Sequence, residues 1–203
     1  MVTKAPLQFG VELAKKGQDL VLHYEVRNKD SRDAYLLNRL YRPGPDWLMS
    51  PDLIYIRVES EKRRLHLYKR IDDMPENRNV VCPVAPFLTP VRAGASYDEE
   101  VHMATPVEES REYSPLRAAA KPRPFLCQDV VFTLGYYWSC DGLIEEIVDI
   151  EGTPACIIKA PSHAMLEYGE LNSDVVVMEV PALVRHSPET GANAARGGNL
   201  SVK

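Results

Sequence analysis

From Leu20 to Asn28 the chain places Leu20, Leu22, Tyr24 and Val26 at every second position, then stops at Asn28-Lys29-Asp30-Ser31, whose side chains bond readily to a turning backbone. A period of two puts these side chains on one face of a strand and cannot make the stripe of a helix. Comparable segments recur at 7–13, 33–41, 53–59, 64–71, 97–103, 130–138, 143–150, 155–159 and 174–180, separated by Pro, Gly, Asn and Asp. No fixed-period repeat is visible, and helical windows are few. The pattern predicts an all-β chain of about ten strands at the spacing of a sandwich or barrel.

The connections differ in kind. Ser60-Glu61-Lys62-Arg63 is a polar link of hairpin length between 53–59 and 64–71. Arg42–Pro51 carries three prolines and reads as a structured loop, because each proline removes a ladder donor. Prolines at 75, 83, 86 and 90 predict an extended, mostly unpaired path over 74–90, and Val91–Gly94 a turn. Residues 105–124 read as a long mobile excursion between strands. The nearly continuous apolar run at 174–180 predicts a central strand. The apolar pattern ends at Val184, so 1–184 is expected to form one domain and 185–203 a disordered tail.

A chain of 203 residues buries enough surface to dispense with staples. Cys82, Cys127, Cys140 and Cys156 show neither a C-x-x-C pair nor a histidine at zinc-ligand spacing, so free thiols and no structural metal are expected. The residues after Met1 lack the basic-then-apolar pattern of a secretory signal, which leads to an expectation of a cytoplasmic protein. No apolar run has the length of a membrane span. A net charge of −5 argues against general nucleic-acid affinity.

The pattern L-x-Y-x-V-x-N from Leu22 to Asn28, followed by Ala93-Gly94 and the alternating strand at Tyr97, resembles the immunoglobulin-like or fibronectin type III-like sandwiches of bacteria over about 20–135. The resemblance implies an antiparallel immunoglobulin-like β-sandwich with long Pro-rich loops and no particular activity, since such folds host many. There is no Cys…Trp…Cys framework of the antibody type. A β-barrel is the alternative architecture.

Candidate sites are few. Tyr41, Trp47, Tyr136, Tyr137 and Trp138 could line a groove, although alternate members of the run 136–138 must fill a core. His23, His66 and His102 lie on expected strands and read as isolated imidazoles. The pairs Asp72-Asp73, Glu99-Glu100, Glu108-Glu109 and Glu145-Glu146 make poor catalytic dyads, because neighbours on a strand point to opposite faces. Ser50, Ser139 and Ser162 lack a nucleophile elbow, and Cys140 sits in a turn without a local base. Lys62, Arg63, Arg64, His66, Lys69 and Arg70 gather charge on one hairpin.

No catalytic, cofactor or metal residue is assigned from the sequence. The expectation is a non-catalytic binding or assembly module that contacts a protein partner, or a second copy of itself, through Tyr41, Trp47, Arg63, Arg64 and Tyr137. A small-ligand carrier or enzyme built on a barrel cavity is the alternative.

Overall fold

The computed structural model describes residues 5–42, 48–73, 85–112, 121–150 and 152–184. Its strands are β1 (Leu7–Lys16), β2 (Asp19–Asn28), β3 (Ala34–Arg39), β4 (Tyr41–Arg42), β5 (Leu48–Met49), β6 (Tyr55–Glu59), β7 (Arg64–Lys69) and β8 (Phe87–Val91). They continue as β9 (Ser96–Ala104), β10 (Val107–Glu108), β11 (Arg123–Trp138), β12 (Ile144–Ile150), β13 (Thr153–Lys159), β14 (Tyr168–Asn172) and β15 (Val176–Val184). The chain is all-β. A 3₁₀ turn at His163–Met165 is the one helical element among the described residues, and no described helix is long and apolar enough to cross a membrane.

β1, β2 and β9 form an antiparallel sheet in which Val11, Tyr24 and Glu99 stand side by side. The second sheet runs β10-β15-β11-β3-β8-β13-β12, with β14 and β7 also on β11 and β6 on β7. The main core lies between the two: Leu20, Leu22, Tyr24 and Val101 from the first sheet meet Leu36, Leu67, Phe132, Leu134 and Val180 from the second. These residues occupy alternate positions on their strands, as the period-two pattern requires. A smaller cluster of Tyr35, Leu37, Leu88 and Cys156 covers the other face of the large sheet. The large sheet ends at β10 and β12 and does not close, so this is a sandwich and the barrel alternative is set aside.

The pairing is not wholly antiparallel. β7 runs parallel to β11 and β10 parallel to β15. A parallel pair needs a long crossover, and the chain between Lys69 and Arg123 supplies it for β7 and β11. The expected strand over 33–41 breaks at Leu40 into β3 and β4. Within the expected unpaired stretch before Val91, Phe87–Val91 is a strand flanked by β3 and β13. Its proline is tolerated because β13 contacts β8 only at Cys156↔Leu88, so Pro90 lies past the end of that ladder.

The excursion over 105–124 contains β10, and β11 starts at Arg123 because its first residues pair with β15. The last strand is not central. Among the described residues only the two-residue β10 lies beyond β15, and Val177 is 88% exposed. β14 was not expected: it holds Gly169, over which the Tyr136 ring packs. The expected tail and parts of the Pro-rich loops lie outside the described residues.

Candidate functional site

Three strands carry a polar residue in the phase reserved for the core. Asn38 follows Ala34 and Leu36, Lys69 follows Leu65 and Leu67, and Glu99 sits between Tyr97 and Val101. β3 and β7 reach β11 within two residues of each other, at Leu36↔Tyr136 and Lys69↔Leu134, which brings Asn38 and Lys69 to one place between the sheets. Glu99 faces them from β9, with Tyr24 directly opposite it on β2.

Lys69 is 0% exposed, and its Nζ lies 2.6 Å from Glu99 Oε2 and 2.7 Å from the Pro51 carbonyl. The Tyr24 hydroxyl donates to Glu99 Oε2 at 2.5 Å and the Tyr97 hydroxyl to Oε1 at 2.9 Å, with Arg39 Nη1 at 3.4 Å from Oε1. Asn38 Nδ2 donates to both tyrosine hydroxyls, at 3.3 and 3.0 Å, while its Oδ1 has no hydrogen-bond partner.

Burial by itself raises a carboxyl, but the Lys69 ammonium and the phenol donors hold Glu99 below the ordinary glutamate range. Burial pushes Lys69 down against the pull of Glu99. Tyr97 is pushed up to about 12 by burial and by the Glu99 charge, and Tyr24 rises for the same reasons. Both phenols therefore stay neutral and donate.

An amine, a carboxylate and two phenols are the ingredients of acid–base chemistry, but here each is spent on the others: Lys69 and both tyrosines are bonded to Glu99. The cluster joins the two sheets as an ionic rivet, its Lys69 and Glu99 side chains 0% and 5% exposed.

The clefts lie at the segment preceding β6. Two adjoining hollows, of about 250 and 150 Å³, share Leu53, Ile54 and Ser110 as walls. Backbone bonds between Ile56 and Ser110 tie β6 to the chain after β10, and the Asp52 carboxylate accepts the His102 amide at 2.8 Å. The larger hollow is lined by Leu53, Ile54, Ile56, Met103 and Val107 together with Asp52, Glu108 and Glu109. The smaller hollow is walled by Tyr41, Arg111 and Glu112; burial and Asp72 raise the Glu112 carboxyl.

A third constellation runs across the outer face of the large sheet. His66 Nε2 lies 2.9 Å from Thr133 Oγ1, whose hydroxyl donates to Asn172 Oδ1 at 2.8 Å, and Glu59 Oε1 is 3.9 Å from His66 Nδ1. The residue types suit a hydroxyl nucleophile with a base, but the geometry does not. Because the Thr133 proton points to Asn172, His66 must give its Nε2–H to Thr133 and cannot take a proton from it. Thr133 is also 3% exposed. The row is a cross-strand hydrogen-bond ladder.

The residues singled out by sequence are dispersed. Tyr41 lines the smaller hollow and packs on Phe87, with ring centroids 5.1 Å apart. Arg63 adopts a φ of 53° at the hairpin turn and donates to the Leu126 carbonyl. Arg64 is held by Asp129 at 2.6 and 3.2 Å. Tyr137 packs on Tyr168 across the sheet, at 5.6 Å. Trp47 and Cys82 lie outside the described residues.

Cys127, Cys140 and Cys156 are free thiols; burial pushes Cys127 up to about 11 and Cys156 upward. Among the described residues no three His, Cys, Asp or Glu side chains group as metal ligands. The rivet had one sequence signal, charged residues on the apolar phase of Lys69 and Glu99. The clefts had one, Tyr41, which lines the smaller hollow; their other walls gave none. Comparison with protein-family profiles, curated proteins and solved structures found no match to this chain.

Proposed function

We propose that the protein is a non-catalytic binding module that holds an extended, cationic segment of a partner protein in the paired clefts over Leu53 and Ile54. The observation that carries the reading is one concave site lined by Leu53, Ile54, Ile56, Met103 and Val107 together with the acidic Asp52, Glu108 and Glu109, of which Asp52 and Glu109 also accept the backbone amides of His102 and Val58. Such a site takes a chain of alternating apolar and basic side chains, the apolar ones buried for affinity and the charges for selection. Tyr41, at the far end, offers a ring with a polar tip, the side-chain type most useful at interfaces. Arg64 is already neutralised by Asp129, so the basic hairpin contributes less to this reading than Tyr41 does. The free thiols support a reducing compartment, and the net charge of −5 disfavours nucleic acid.

The test is a library of random extended peptides selected on the immobilised protein. The expected winners alternate Lys or Arg with apolar residues, and their affinity falls with added salt and in Glu108→Gln. A library returning no enrichment, or enrichment insensitive to both salt and Glu108→Gln, overturns the reading.

A further inference from the structure

The large sheet ends at β12, which among the described residues is hydrogen-bonded to β13 alone, in unbroken register from Ile144↔Lys159 to Ile150↔Thr153. Among the described residues no strand pairs with its other edge, and the side chains of Ile144 and Ile147, on opposite faces, are each 63% exposed. An open edge is a template for another strand.

The edges at β6, β9 and β1 are blunted. On β6, the Glu109 carboxylate occupies the Val58 amide and the Ser110 backbone occupies Ile56. On β9, Asp52 occupies the His102 amide. β1 ends in Lys15-Lys16, and its exposed positions are Gln8, Gly10, Glu12 and Ala14, none of them a large apolar side chain. β12 carries no proline, no lysine and no bulge.

We propose that β12 is a self-association surface, which pairs antiparallel with β12 of a second copy about a two-fold axis through Ile147. The occupant follows from the sequence of the strand, Ile-Glu-Glu-Ile-Val-Asp-Ile, whose isoleucines at 144, 147 and 150 are symmetric about the central one. A two-fold axis normal to a sheet must pass through a residue pair, because paired side chains share a face. Centring on Ile147 sets Ile144 of one copy opposite Ile150 of the other at both ends and Ile147 on Ile147 at the axis. Centring on Glu146 or Val148 instead sets Glu145 on Ile147 or Glu146 on Ile150, and gives up the isoleucine matches.

The cost of the proposed register is Glu145 opposite Asp149. Its countercharge is present: Arg92 grips Glu145 through both terminal nitrogens, with Nη2 at 2.7 Å from Oε2, and remains half-exposed beside the edge. The remaining carboxylate, Glu146, is paired with Lys159. This surface is independent of the clefts over Leu53, so either proposal can fail without the other.

The experiment is sedimentation equilibrium of the full chain, with cysteine cross-linking to read the register. The wild type and Val177→Lys, which alters an exposed side chain on β15, are expected to dimerise alike. Ile147→Lys, with two like charges on the axis, should weaken the dimer by at least about tenfold. Under mild oxidation Ile147→Cys should cross-link to itself above the wild-type background, whereas Ile144→Cys should cross-link only when mixed with Ile150→Cys. A monomeric wild type, a dimer indifferent to Ile147→Lys, or self-cross-linking of Ile144→Cys overturns the proposal.

Discussion

Lys69 and Glu99 meet between the two sheets with Nζ and Oε2 2.6 Å apart, each delivered by a strand of a different sheet. Neither charge reaches solvent, since their side chains are 0% and 5% exposed. Breaking such a pair from one side leaves an uncompensated buried charge and costs about 3–5 kcal/mol. Lys69→Met and Glu99→Gln are therefore each expected to destabilise by that order in urea unfolding. The double variant should lose much less than the sum of the singles. Additive losses would show that the two charges are not coupled.

The same pair contributes to the acid limb of stability. Glu99 has a folded carboxyl below its unfolded value, so the stability it contributes is complete above about pH 4.3 and is lost as pH falls through the folded value. Urea midpoints measured from pH 7 downward should fall below that point in the wild type and fall less steeply in Glu99→Gln. Parallel curves would assign the acid limb to other carboxylates.

His66 acts in a higher window. Burial, opposed by Glu59, lowers its imidazole, so the folded state resists the proton that the unfolded chain accepts near pH 6.5. Its contribution is present above that value and is lost as pH drops through the folded one. Stability between pH 7 and 5 should decline in the wild type and be flatter in His66→Gln. A ring titration by NMR at or above 6.5 would contradict this.

Gly169 is a packing requirement, not a conformational one. A Cβ there would lie 2.4 Å from Tyr136 Cζ and 2.5 Å from its hydroxyl oxygen, both parts of a ring that cannot bend aside. Gly169→Ala is expected to cost about 1–3 kcal/mol in thermal unfolding. Tyr136→Ala in the same chain should absorb the added methyl, so that the two losses do not add. At Gly10, where nothing lies within 4 Å, the same substitution should change stability by less than about 0.5 kcal/mol.

The strands were legible wherever one face is wet and the other dry. The alternations at Leu20–Val26 and Tyr97–Met103 became β2 and β9, and the polar link 60–63 became the β6–β7 hairpin. Two strands escaped that logic. β8 carries Pro90 yet pairs because its ladder to β13 is one residue pair long, and β14 has too few apolar residues to show a period. The apolar content of Val175–Val180 suggested a central strand, but β15 has only the two-residue β10 beyond it among the described residues, and Val177 lies on the alternate face that is left 88% exposed.

The sequence alone determined that this chain is all-β, because side-chain alternation is a local property of an extended backbone. It also determined that adjacent carboxylates such as Glu99 and Glu100 would part company: Glu99 turns inward to Lys69, and Glu100 outward to Lys16 and His102. Only the tertiary structure decided which strands became neighbours, and with that the meeting of Lys69 with Glu99, the clefts over Leu53 and Ile54, and the open edge of β12. Those features join residues tens of positions apart through strand order. Strand order follows from burying both sheets at once, which no local pattern encodes.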